Sequence, residues 1–486
     1  MNKELRRVSI VLMLMFVALF VSTSVIQVFA VDSLKDNEHN VRVLYESYAT
    51  ERGAITVGGG VPIVTSEPVD DDYSFLRVYT NAEIYAPVTG FISLNHGSTG
   101  IERSLNEELS GTSSAQFLDQ LNTMFTGQDP QGASVELTLD PVVQQAAWDA
   151  LGDNTGAIVA IEPSTGRILA MVSKASYDPN LLSAHEANKT IDQRYDELLA
   201  NPNNPLINRA IGGDLYHPGS VFKIIMTATA LQSGEYTPDS EFPNPGTLQL
   251  PQTNISISNA EGGSCGGGAT ATIATALRLS CNIPFAQLGT ALGEDKIRAM
   301  AEDFGFGQSI EIPMGSTPSV YPQGMDAPQL MLSSFGQYDD KVTPLQMAMV
   351  SAAIANGGVL MQPTLIDSIT AADLRVIQQF EPEVFSTPVS PEVSATMVQM
   401  LVNGVSNGAA SNARISGVDV GGKTGTAENG EGEAYTLWFT GFAPAVNPQV
   451  AIAVVLENGG GFGRNAFGNM VAAPIAKKVL EAVLSR

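Results

Sequence analysis

The chain has 486 residues, 44% of them hydrophobic and 15% charged, which supplies apolar material for a sizeable core and excludes a wholly disordered chain. Its 50 acidic residues against 25 basic ones leave a formal charge of -25, the wrong sign for drawing in a phosphate backbone, so nucleic acid is excluded as a partner. The length exceeds one usual domain, and an enzyme domain with an accessory module is expected.

Lys3, Arg6 and Arg7 precede residues 8–31, which carry no charge. As a helix that stretch would reach about 36 Å, against a hydrocarbon core of roughly 30 Å. A single-pass anchor over 8–31 is expected in the cytoplasmic membrane, with residues 1–7 in the cytoplasm and the rest of the chain outside. A cleaved signal peptide is the competing reading, because Val28-Phe29-Ala30 loosely resembles a processing site; the apolar region of such a peptide runs only about 7 to 15 residues.

Residues 32–139 alternate short apolar runs with Gly, Asn, Ser and Thr, as in Ala54-Ile55-Thr56-Val57 before three glycines, and read as a module of short strands and turns without a catalytic constellation. Asp140-Pro141 then opens a helix running to about Leu151, with Asp at the cap and Pro at the first helical position, and begins the main domain, 140–486. Strand-like runs at 156–162 and 167–173 flank the turn Pro163-Ser164-Thr165-Gly166. Mostly helical spacing fills 205–410, and strand-like runs at 418–427, 435–443 and 450–457 precede a closing helix near 471–485. Two strands, many helices and three more strands predict an α+β architecture, an antiparallel sheet with helices segregated around it.

Cys265 and Cys281 are the two cysteines, on the side of the membrane where disulfides persist. Paired, they close a short loop worth about 3 kcal/mol; unpaired, they are two structural thiols. Metal-site cysteine spacing is absent, and no metal or cofactor is expected.

His217-Pro218-Gly219-Ser220-Val221-Phe222-Lys223 leads into a helix that is apolar nearly all round, with Ser220 in its first turn. Three residues apart, Ser220 and Lys223 share a face. Burial disfavours a charged lysine, and a neutral one can take a serine proton, while unpaired N–H groups at a helix start suit an oxyanion. A helix-capping serine followed by a snorkelling lysine is the bland account of the same residues. Two more motifs weigh against it: Ser280-Cys281-Asn282 between helical stretches 270–279 and 284–292, and Gly421-Gly422-Lys423-Thr424-Gly425-Thr426-Ala427 in a strand whose glycines admit close approach.

Ser-x-x-Lys, Ser-x-Asn and Lys-Thr-Gly in this order resemble the signature of penicillin-recognising serine enzymes. Asn208-Arg209-Ala210, Gly336-Gln337, Thr343-Pro344-Leu345-Gln346-Met347-Ala348 and Ala355-Asn356-Gly357-Gly358 extend the resemblance to class B penicillin-binding proteins of the compact Gram-positive or actinobacterial type. Arg52-Gly53-Ala54-Ile55, Gly100-Ile101-Glu102 and Leu109-Ser110-Gly111 resemble that family's non-catalytic, dimerisation-type module.

The resemblance implies a transpeptidase fold with a five-stranded antiparallel sheet and a helical subdomain, and a D,D-transpeptidase that cross-links peptidoglycan stem peptides and is trapped by β-lactams. It implies Ser220 as nucleophile, Lys223 as general base, Ser280 as proton shuttle, Asn282 holding Lys223 and the peptide, and Lys423 orienting Ser280. Thr424, Gly425 and Thr426 would bind the substrate and its terminal carboxylate, and the backbone N–H groups of Ser220 and Thr426 the oxyanion. A separate membrane glycan polymerase of the shape, elongation, division and sporulation (SEDS) type is the implied partner, because no room for a glycosyltransferase domain exists before residue 140.

Within the same superfamily a β-lactamase or D,D-carboxypeptidase would let water finish the reaction. A penicillin-sensing receptor or silent scaffold is the alternative from another class, but seven residues before the span are too few for a signalling domain. A Ser-His-Asp hydrolase using His217 lacks the Gly-x-Ser-x-Gly elbow. Gly461-Phe462-Gly463-Arg464 matches a dinucleotide fingerprint only superficially, with no βα unit after it.

Overall fold

In the computed structural model, which describes residues 3–30, 34, 50–71, 73–116, 131–213, 215–260 and 262–486, the chain opens with helix α1 (Lys3–Ser24), extended by a π-helical turn over Val25–Phe29. The stretch Leu5–Gln27 is the one helix long and apolar enough to cross a membrane among the described residues. The helix begins at Lys3, within the basic stretch that precedes the uncharged residues 8–31, because a helix satisfies its own backbone whether the side chains are charged or apolar. Val31, the end of the expected anchor, and residues 32–33, 35–49 and 117–130 of the expected module lie outside the described residues.

Three strands follow, β1 (Ile55–Val57), β2 (Val61–Pro68) and β3 (Phe75–Tyr79), and then helix α2 (Ala82–Thr89). Short helices at Gly100–Ser104 and Asn106–Leu109 precede β4 (Ser134–Leu137). The expectation of strands and turns throughout this module is therefore corrected. Ile101, Leu105 and Leu109 recur four residues apart and are all buried, a helical period within a region whose glycines and serines read as turns.

Helix α3 (Pro141–Leu151) begins where expected, with Asp140 Oδ1 accepting from Val142 N at 2.9 Å and Val143 N at 3.1 Å. The chain continues through β5 (Gly156–Ile161), β6 (Ile168–Lys174), a 3₁₀ turn over Gly219–Phe222, α4 (Lys223–Gln232), β7 (Ser256–Ser258), α5 (Ile273–Leu279), α6 (Ile283–Leu292) and α7 (Pro344–Ala355). It ends with β8 (Ile366–Thr370), β9 (Val376–Gln379), α8 (Pro391–Asn407), β10 (Gly421–Ala427), β11 (Thr436–Ala443), β12 (Val450–Leu456) and α9 (Ala472–Leu484).

The main sheet is five-stranded, in the order β10-β11-β12-β5-β6, with every neighbouring pair antiparallel. β5, β11 and β12 are buried at every position and largely apolar because both faces are covered. Ala157, Val159, Ala453, Val455 and Trp438 face a core shared with α4 and α7, whereas Ile158, Ala160, Ile452, Val454 and Phe439 face one built from α3 and α9. Each fully buried Val, Leu or Phe contributes about 1.5–3 kcal/mol relative to exposure.

A second sheet, of order β9-β8-β4-β1-β2-β3, crosses the sequence boundary at residue 139. β8 pairs with β4, so a segment more than 200 residues downstream completes the module's sheet. Beside it, Glu102 is fully buried between Arg52, 2.7 Å away, and Arg77, 2.6 Å away.

Candidate active site

The turn bearing Ser220 lies against β10 because two glycines interlock. Gly219, at φ 54°, donates its N–H to Gly336 O at 2.8 Å; a Cβ added to Gly336, itself at φ 79°, would sit 2.0 Å from Gly219 O. A Cβ on Gly219 would meet Thr426 O at 3.1 Å, so this approach and the left-handed backbone both require glycine. Trp438 Nε1 donates to His217 O at 2.9 Å and ties the approach to β11.

Lys223 opens α4 and is 0% exposed. Its Nζ lies 3.0 Å from Ser220 Oγ and donates at 2.8 Å both to Ser280 O and to Asn282 Oδ1. Three partners match the three hydrogens of an ammonium; losing one proton leaves a lone pair free to accept from the Ser220 hydroxyl. Burial, and then the charge of Lys423, hold Lys223 well below the usual lysine pKa.

Ser280 ends α5 in the left-handed conformation, at φ 64°, and so turns the chain back toward the two lysines. Lys423, on β10 and 2% exposed, donates to Ser280 Oγ at 2.7 Å and to Thr424 O at 2.8 Å. Burial pushes it down to about 7. Among the described residues no carboxylate is ion-paired to either lysine, so a chain of net charge -25 keeps both amines clear of its own acidic side chains.

Cys265 and Cys281 are disulfide-bonded, with Cα atoms 5.7 Å apart, and this ties the 280 loop to the glycine-rich stretch before α5. The assembled groups are a hydroxyl within 3.0 Å of a buried amine, a second hydroxyl bridged to a second amine, and an edge strand, an arrangement that acyl transfer could use.

Residues 156–481 match the family model for the penicillin-binding protein transpeptidase domain. The chain belongs to that family. As a penicillin-binding protein it also matches the penicillin-binding protein A dimerisation domain over residues 52–135. It is 42% identical to the peptidoglycan D,D-transpeptidase PbpA of Mycolicibacterium smegmatis over 493 residues, covering 100% of this chain and 99% of the relative. The PbpA of Mycobacterium tuberculosis is 41% identical over 497 residues, with the same coverage. The solved ceftriaxone acyl-enzyme complex of M. tuberculosis penicillin-binding protein A superposes with a TM-score of 0.87 at 40% identity, over 90% of this chain and 100% of that one.

Ser220, Lys223, Ser280, Asn282 and Lys423 of this penicillin-binding protein form one hydrogen-bonded cluster. Thr424 and Thr426 stand beside it with both hydroxyls engaged: Thr424 Oγ1 donates to Ala409 O at 3.0 Å, and Thr426 Oγ1 accepts from Gly468 N at 3.2 Å. Gly425 admits the nucleophile's turn, for a Cβ there would lie 2.9 Å from Pro218 O. His217 stands apart, its Nδ1 3.0 Å from Asp340 O, and no hydrogen bond joins it to Ser220 among the described residues. The Gly461–Arg464 stretch leaves a 3₁₀ turn over Asn458–Gly461.

Sequence reasoning missed the interlock of Gly336 with Gly219, although Gly336-Gln337 was singled out for its resemblance. It also missed Asn259, a buried side chain that accepts from Asn282 N at 2.9 Å and has no motif around it.

Proposed function

We propose that this penicillin-binding protein, a class B peptidoglycan D,D-transpeptidase inhibited by β-lactams, acts through Ser220 as nucleophile and Lys223 as general base. The observation that carries the assignment is the 3.0 Å approach of Lys223 Nζ to Ser220 Oγ in a site where burial disfavours the ammonium form.

Ser220 Oγ attacks the penultimate D-alanine carbonyl of a stem peptide while its proton passes to Lys223. Ser280, hydrogen-bonded to Lys423, delivers a proton to the departing D-alanine amine. The ester on Ser220 is then resolved by an amine of a neighbouring stem peptide. Backbone N–H groups of Ser220 and Thr426 receive the oxyanion; such donors are worth roughly 10²- to 10³-fold in rate. Lys423 and the hydroxyls of Thr424 and Thr426 take the terminal carboxylate, with Gly425 giving the peptide room. That binding requires the Thr424 hydroxyl to turn away from the Ala409 carbonyl.

Residues 32–139 form the non-catalytic module and 140–486 the transpeptidase domain, with β8 and β9 lent back to the module. Lys3, Arg6 and Arg7 at the N-terminal end of the apolar helix support a cytoplasmic N-terminus and an extracytoplasmic catalytic domain. The resemblance to monofunctional transpeptidases supports a membrane glycan polymerase of the SEDS type as partner.

Fluorescent penicillin labelling of wild type, Ser220→Ala and Lys223→Ala tests the assignment. A stable adduct is expected on wild type alone; an adduct on Ser220→Ala refutes the nucleophile, and undiminished labelling of Lys223→Ala refutes the base.

A further inference from the structure

Asn282 occupies the N-cap position of α6, yet its side chain makes no cap hydrogen bond. Its Oδ1 receives Lys223 Nζ at 2.8 Å and its Nδ2 donates to Ser258 O, at the end of β7, at 3.0 Å. An asparagine at a helix start ordinarily turns its oxygen onto the N–H groups of the first turn, which otherwise lack acceptors. Here that oxygen goes to Lys223, and the N–H groups of Asn282 itself and of the first helical residue are taken by another side chain. Asn259 Oδ1 accepts from Asn282 N at 2.9 Å and from Ile283 N at 3.1 Å.

Asn259 is itself fixed. It is 3% exposed, and its Nδ2 donates to Gly263 O at 3.1 Å and to Asn244 Oδ1 at 3.3 Å. Asn244, 0% exposed, donates to Cys265 O at 2.7 Å and Gly268 O at 3.1 Å and accepts from Cys265 N at 3.2 Å. Both amides have donors on Nδ2 and acceptors on Oδ1 engaged, so inverting either would set oxygen against oxygen in a buried place. The disulfide at Cys281 restrains where the loop lies; it does not orient the neighbouring Asn282 amide.

We infer that Asn259 is a positioning residue for acylation: by accepting from the backbone N–H groups of Asn282 and Ile283 it fixes the start of α6 where the Asn282 oxygen meets Lys223. The inference rests on the assignment of Lys223 as the base that activates Ser220. Without the Asn259 carboxamide the Asn282 and Ile283 N–H groups lose their acceptor, the Asn282 backbone is released, and its Oδ1 shifts off Lys223 Nζ.

The test compares full-length wild type, Asn259→Ala and Asn259→Asp in detergent micelles, measuring the second-order rate of acylation by a fluorescent penicillin across pH, with thermal unfolding alongside. Loss of one hydrogen bond to the base predicts that Asn259→Ala acylates about tenfold more slowly. Its acid limb moves to lower pH, because the ammonium form of Lys223 has lost an acceptor. Asn259→Asp keeps the acceptor for both N–H groups but sets a carboxylate oxygen against Gly263 O and Asn244 Oδ1, so it recovers only part of the rate, while its charge moves the limb to higher pH.

A wild-type rate and limb in Asn259→Ala overturns the inference, as does a slower rate that follows a lower unfolding temperature with the limb unmoved. Failure of the underlying assignment is read separately, from labelling of Ser220→Ala or Lys223→Ala at the wild-type rate.

Discussion

Lys423→Met keeps most of the aliphatic stem of a buried side chain and removes its amine. In the folded chain burial holds that amine at about 7, against 10.5 for the exposed group. At about 1.4 kcal/mol per pKa unit, that depression costs roughly 4–5 kcal/mol at pH 7, where the folded amine is about half protonated and the unfolded one fully so. The methionine escapes that cost. It also loses two hydrogen bonds, to Ser280 Oγ at 2.7 Å and Thr424 O at 2.8 Å, each worth about 1–2 kcal/mol with the orphaned acceptor included.

The variant is therefore expected to be more stable than wild type by about 1–3 kcal/mol at pH 7. The sign then reverses. Between about 7 and 10.5 the unfolded chain binds a proton that the folded Lys423 does not, so wild-type stability rises with pH across this window. Near pH 10 the cost of the depressed pKa has fallen to about 1 kcal/mol, the lost hydrogen bonds dominate, and the variant is less stable by about 2 kcal/mol. Denaturant unfolding of both full-length proteins in detergent at the two pH values measures the crossing, and penicillin labelling should be lost at both. A destabilisation of equal size at pH 7 and pH 10 would refute the reasoning that burial depresses Lys423.

Acylation of wild type is expected to trace a bell in pH, rising as Lys223 loses its proton and falling above about 7 as Lys423 loses the charge that receives a carboxylate; a rate flat across pH 5 to 9 contradicts these roles. Glu102→Gln leaves Arg52 and Arg77 buried without a counter-charge and should cost about 3–5 kcal/mol in unfolding free energy. Burial pushes Glu102 upward, but the guanidinium groups of Arg77 and Arg52 outweigh it and leave its pKa lowered. Its contribution is therefore complete above the unfolded pKa and lost as pH falls through the folded one. Gly336→Ala places a Cβ 2.0 Å from Gly219 O and should slow acylation by at least about tenfold through displacement of the Ser220 turn, read by stopped-flow labelling.

Much of the main domain could be read from residue order. Strand runs at 156–162, 435–443 and 450–457 recur as β5, β11 and β12 to within a residue or two, and the Asp140-Pro141 start of α3 was marked by its cap. The module was harder. Its helix over Gly100–Ser104 lies among residues with turn chemistry, and its β4 finds a partner in β8, which the local sequence around 134–137 does not announce.

Residue order alone determined which groups have the chemistry, because a serine and a lysine three apart on one helical turn must share a face, and short continuous apolar runs bounded by turn residues favour buried strands. It also set the sign of the charge and the apolar helix at the start. Only the tertiary structure decided how those groups meet: Lys423 reaches Ser280 across 143 residues, and Asn259 reaches Asn282 from a loop with no motif. Helical and strand periods act over a few residues, whereas these contacts follow from sheet order, from the close approach of Gly219 to Gly336 and from the left-handed Ser280, which exist only once distant segments have packed.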